Sequence, residues 1–257
     1  CVLTASTIGP GSVAMSAAAG AQHANALLWC VVAAAIVAWG LNDAAAALAV
    51  RSGGESLGSA IRALSPRAAA VLAILLLAGS LAYECNIFAG TVAAVEVVTD
   101  DARARGAVAA LNGPLCAALI LSGSTATVSA ALGGVVVLMV LLFAATACIV
   151  GVQPGFVRGL LPSFPEGSAP VALALMGTTA VPLNLFLGSA LARGQRLAPV
   201  REGVAVASAL TGLICALIQA VGAYAHAQRA ATASPAAAGG GRWLGAEATG
   251  SGDGGSG

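Results

Sequence analysis

A proline interrupts a long apolar run at Thr178-Thr179-Ala180-Val181-Pro182-Leu183-Asn184, with apolar residues on both sides from Val171 to Leu191. A second break of the same kind, Gly9-Pro10-Gly11-Ser12, stands near the start of the chain. Gly9 and Gly11 lack a side chain and Pro10 donates no amide, so the backbone there unwinds. Pro182 lies about midway along its run, and Asn184 adds a buried amide two residues on. A helix interrupted in lipid frees carbonyls and amides, which is tolerated only where they line a cavity or are buried in protein. Two interrupted segments at corresponding positions of two halves point to the substrate site of a secondary transporter.

Composition sets the solvent. The chain is 59% hydrophobic and 8% charged, against about 25% charged for a soluble domain. An all-α integral membrane protein follows, with the lipid bilayer as its main partner. A net charge of +1 gives no basis for nucleic-acid binding. All eleven cations are arginine, the mark of a GC-rich coding sequence. The six cysteines are scattered, with no CxxC pair, and read as small apolar residues.

A spanning helix needs about 20 apolar residues. Seven candidate segments meet or approach this. They run from Val2 through the first break to Trp29, from Ala26 to Val50, and from Ala68 to Val98. A weak fourth covers Gly106 to Leu121 and contains Pro114. The rest are Val128 to Val152, the broken Ala169 to Ala192, and Gly203 to His226. A short amphipathic piece precedes Pro66, and Asp100-Asp101-Ala102-Arg103 closes the third segment. The broken segments, one and six, are five apart, which fits an inverted repeat of five helices. The transmembrane domain covers about 1–229, with a first repeat at about 1–152 and the start of a second at about 169–229. The Ala/Gly/Ser-rich stretch 230–257 cannot bury a core and reads as disordered. Arginines in short loops divide six against four, a bias toward a cytoplasmic amino terminus. The chain begins at Cys1 and carries two of the second five helices, so it reads as a fragment.

Ionisable residues inside such segments are functional candidates by default. Glu84 lies deep in the third segment beside Asn86, with no arginine within a helical turn, and suits a proton carrier. Asp43 reads as structural. Glu96, His23 and His226 fall near segment ends and read as interfacial. No His/Cys cluster has metal-enzyme spacing, and no Ser–His pair or Gly-Lys-Ser/Thr phosphate loop is present. An enzyme is not expected, nor is a cofactor.

Gly9-Pro10-Gly11-Ser12 is followed by six residues and then by Ala19-Gly20-Ala21-Gln22 and Ala26-Leu27-Leu28-Trp29. This resembles the first helix of the natural resistance-associated macrophage protein family, where Asp-Pro-Gly-Asn is followed at equal spacing by Ala-Gly-Ala and Leu-Leu-Trp. Met176 to Leu185 resembles the family's sixth helix, centred on Met-Pro-His-Asn. Gly159-Leu160-Leu161-Pro162-Ser163-Phe164-Pro165 is similar to the loop before it. The resemblance spans about residues 6–226 and implies a leucine-transporter-type inverted-repeat bundle with helices 1 and 6 broken. It implies a metal-cation cargo, of the Mg or Mn class, bound at the positions of Gly9, Ser12, Thr178, Val181 and Asn184.

The family's acidic, amide and thioether side chains are replaced here by Gly9, Ser12 and Val181, and its histidine by Leu183. The remaining donors are hard and neutral: the Ser12 hydroxyl, the Asn184 amide, and the carbonyls of Ser6 and Thr178. Ser12 and Asn184 are the metal-ligating candidates. Without a thioether, the preference for softer metals is lost. Without a carboxylate, a dehydrated dication is poorly compensated. Such a site also suits a small polar solute such as an amino acid, and its degeneracy admits a non-transporting sensor or scaffold. Glu84 falls where the family places an acidic proton-pathway residue, and Gly90 matches the glycine after it.

Overall fold

The computed structural model describes residues 2–99, 102–121, 125–151, 153, 155–179 and 181–233. Among them every regular element is helical. Ala180, the Asp100-Asp101 pair, Val152 and the tail from residue 234 lie outside the described residues.

The first apolar run divides where its sequence demands. Helix α1 covers Val2–Thr7 and α2 covers Pro10–His23. Gly9 caps α2 with extended backbone, and Pro10 takes the first helical position, where a missing N–H costs nothing. The Ile8 amide closes α1 on Thr4 O at 3.1 Å, and the Val13 amide opens α2 on Gly9 O at 3.1 Å. Helix α3, Leu28–Arg51, follows a tight turn. Its 24 residues span about 36 Å.

The short amphipathic α4, Leu57–Leu64, is capped by Ser56, whose Oγ accepts from the Ser59 amide at 3.3 Å. Ser65 caps α5, Pro66–Val98, in the same way through Ala68. Helix α6 is Ala102–Leu121 and retains Pro114. Helix α7 is Thr125–Val150. The second break separates α8, Ala169–Thr179, from α9, Pro182–Leu191, where Pro182 again stands at the first position. Helix α10 runs Leu197–Ala233.

Five stretches among the described residues are long and apolar enough to cross a bilayer: Leu28–Arg51, Pro66–Val97, Ala126–Val150, Ala169–Leu191 and Leu197–Thr232. The sequence reading expected seven. The other two expected segments are present as helices: the first as α1 and α2 on either side of its break, and the fourth as α6. Helix α10 continues past Arg229 to Ala233.

The core lies where the broken helices meet α3 and α10. Ala19, Leu27, Cys30, Val31, Leu175 and Cys215 form one buried cluster. Ile8, Val136, Ile214 and Ile218 form a second, joining α1 to α7 and α10. Helices α2 and α10 cross at backbone contact. A Cβ on Gly222 would lie 2.5 Å from Ala17 O and 3.1 Å from Ala21 N, and one on Gly20 would overlap Gln219 O. Small residues at a crossing permit such approach, the usual membrane solution. Ile74, Leu75 and Leu77 of α5, and Leu138, Leu141 and Leu142 of α7, are exposed, as lipid-facing residues must be. The chain is a multi-pass integral membrane protein.

The segment before α8 is docked to the α2–α3 turn. A single 3-10 turn, Arg158–Leu160, lies in it. Trp29 Nε1 donates to Ser163 O at 3.0 Å, and Ser163 Oγ donates to Ala26 O at 3.0 Å. The Trp29 ring meets Phe164 edge-on, with centroids 4.9 Å apart. Gly159 sits so close to the Asn25 carbonyl that a Cβ would overlap it. Trp29→Phe keeps the ring contact and loses one hydrogen bond, so it should cost about 1 kcal/mol. A small fall in the thermal unfolding midpoint in detergent checks this.

Candidate site between the two helix breaks

Both breaks place residues at one point. Ser12, 4% exposed, donates its hydroxyl to Thr7 O at 3.0 Å, with Thr178 O at 3.4 Å as a second acceptor. Asn184, 3% exposed, donates from Nδ2 to Thr7 Oγ1 at 2.9 Å. The break at Gly9 and the break at Pro182 are therefore bridged directly, by one hydroxyl and one amide. Each of those side chains stands in the first turn of the helix that restarts after its break.

The third wall is α5. Tyr83 Oη donates to Ser6 O at 3.2 Å. Its phenol fills the space that a side chain on residue 9 would need, because a Cβ on Gly9 would overlap Oη. A Cβ on Gly11 would lie 2.9 Å from Asn86 Nδ2, and one on Gly90 would overlap the Pro10 ring. Each glycine thus marks a close approach. Gly9 and Gly11 admit side chains of α5, and Gly90 admits Pro10.

The carbonyls freed by the breaks are capped by protein hydroxyls: Ser6 O by Tyr83, Thr7 O and Thr178 O by Ser12. Every donor in this arrangement is neutral. Among the described residues no three His, Cys, Asp or Glu side chains converge to hold a metal ion.

The structure brings together Gly9, Pro10, Gly11, Ser12, Thr178 and Asn184 of the expected site. Val181 caps α9 in extended backbone and is half-buried, while Pro182 is exposed. Glu84 is placed differently. It lies on the exposed face of α5, and its neighbour Tyr83 is the residue that reaches the break. Asp43, read as structural, accepts from Arg201 Nε at 2.8 Å and from Nη2 at 2.7 Å, joining α3 to α10.

Sequence reasoning missed Thr7 and Tyr83. A signal for the second was present: Tyr83, Asn86 and Gly90 recur at intervals of three and four, one face of a helix. Glu84 stands about 100° around from Tyr83 on the same helix.

The model of the family described as natural resistance-associated macrophage protein-like matches residues 1–238. No curated protein matches the chain.

Proposed function

Because the chain belongs to the natural resistance-associated macrophage protein family, multi-pass transporters of metal ions with the leucine-transporter-type fold, we propose that it moves a metal cation of the Mg or Mn class by alternating access. The cation is bound between the two breaks. The observation that carries this reading is the bridging of both breaks by Ser12 and Asn184.

The arrangement describes a closed pocket. When the breaks part, the Ser12 and Asn184 bonds release, and the carbonyls of Thr7 and Thr178 become available to cargo. Rotation of the Tyr83 hydroxyl adds Ser6 O. Hydroxyl protons occupy those oxygens in the closed form, and a cation takes their place in the loaded one. No carboxylate belongs to the set, so the ion keeps part of its water shell; stripping it without an opposite charge would be too costly. Mg²⁺ fits this best, since it dehydrates reluctantly and usually keeps several waters. The repeats run over about 1–152 and from about 169.

The neutral donor set also favours a second reading, in which the same pocket takes a small polar solute. The test is uptake of Mg²⁺ and Mn²⁺ into liposomes holding the purified chain, across a range of pH. Saturable uptake of either ion, weak enough to need about millimolar concentrations, is expected. No flux of either at any pH removes the cation reading, and uptake of a labelled amino acid instead would establish the second.

A further inference from the structure

The outward faces of α3 and α10 form an apolar groove that the site between the breaks does not use. Its volume is about 380 Å³, within the range of small-ligand pockets. Ala35 and Gly212 meet at its base, where a Cβ on residue 212 would lie 3.1 Å from Ala35 Cβ. Ile36, Trp39 and Leu213 stand exposed along it. Among the described residues, Ser208 is the one polar member of the lining.

The groove is long and narrow. Along α10 it runs from Ala205 to Ala216, a rise of about 16 Å, which is half of the roughly 30 Å hydrocarbon core. Spread over that length, 380 Å³ is a cross-section of about 24 Å². A helix, about 10 Å across, does not fit it. One extended acyl chain of a single leaflet does.

One end of the groove is charged. Arg201 stands one helical turn before Ala205 and binds Asp43, which stands one turn after Trp39. Between Glu202 and Arg229, α10 holds no Asp, Glu, Lys or Arg, so Arg201 marks the border of the hydrocarbon. Trp39 lies just inside it, the depth at which interfacial aromatic rings collect. The bonds to Asp43 use Nε and Nη2. The Arg201 side chain is 53% exposed, and Nη1 is left to donate to an outside oxygen. The ion pair itself is neutral. Arg51, Arg193 and Arg196 stand at the same end of the molecule, against Glu55 and Glu202, a surplus that attracts anionic headgroups.

We propose that this groove binds one anionic phospholipid, its acyl chain lying against Ala35 and Gly212 and its phosphate on Arg201. The lipid touches both helices and so ties α3 to α10. This inference goes beyond the cargo reading and does not depend on it.

The experiment places the full chain in phosphatidylcholine vesicles that carry a minor fraction of lipid with brominated acyl chains, either phosphatidylglycerol or phosphatidylcholine. Bromine quenches the emission of a tryptophan it touches. The chain has three tryptophans, so the contribution of Trp39 is read as the difference from Trp39→Phe. Brominated phosphatidylglycerol should quench that contribution at about fivefold lower content than brominated phosphatidylcholine, the preference that one arginine near the surface supplies. Ala209→Leu fills the groove from an exposed position and should abolish the preference. Arg201→Gln combined with Asp43→Asn removes both charges and should do the same; should that variant fail to fold, Ala209→Leu carries the comparison. Equal quenching by the two lipids would mean bulk bilayer only and would overturn the proposal, as would a preference that survives in Ala209→Leu. A dimer of the parent that Ala209→Leu dissolves would give the groove to a second copy instead and would overturn it too.

Discussion

Gly222→Val should yield no folded protein: size-exclusion of the detergent extract should show aggregate in place of the single peak of the parent. At this crossing the obstacle is backbone. A Cβ on residue 222 would lie 2.5 Å from Ala17 O and 3.1 Å from Gly20 Cα, and no rotamer change relieves a clash with main chain. Overpacking in a core that can adjust costs about 1–3 kcal/mol. Here α2 and α10 must separate along their length, which would also strain the bond from Gln219 Nε2 to Ala24 O at 3.3 Å and that between His226 Nδ1 and Ala21 O at 3.1 Å. The expected loss therefore exceeds the usual range. Gly40→Ala supplies the control. Nothing lies within 4 Å of a Cβ at that position, and an interior helical glycine gains about 0.5–1 kcal/mol on becoming alanine. A Gly222→Val protein melting within a few degrees of the parent would show that the helices do not approach as described.

Gly9→Asp combined with Ser12→Asn should raise Mn²⁺ affinity at least about tenfold, or 1.4 kcal/mol. The parent site lacks a charge to offset a dication, and the new carboxylate supplies one beside the carbonyls of Ser6 and Thr7. The substitution is sterically demanding, because its Cβ overlaps Tyr83 Oη. That oxygen is the far end of a side chain able to swing away, and it is held by one bond to Ser6 O. Displacing it costs about 1 kcal/mol and frees a further carbonyl for the ion. Adding Tyr83→Phe should therefore strengthen binding again. Gly9→Asn has nearly the same shape without the charge, and separates crowding from electrostatics. Equal affinities for the Asp and Asn variants, by titration calorimetry, would show that residue 9 does not face the ion.

The breaks were legible in the sequence because glycine and proline act through the backbone. Pro10 and Pro182 restrict local geometry whatever surrounds them and Gly9 leaves it free, and Ser12 and Asn184 could be placed by their distance from those residues. Thr7 and Tyr83 could not, since their roles depend on how α1, α5 and α9 cross. Glu84 drew attention through its charge. Which face of a 33-residue helix meets the break is set by packing, and there Gly90 against Pro10 turns Tyr83 inward.

The segment before α8 reaches that helix already anchored. Trp29, Ser163 and Phe164 fasten it to the start of α3 and the turn before it. Gly167, with φ at +74°, supplies the left-handed backbone by which the chain leaves that anchor and enters α8, a conformation a side chain there would strain.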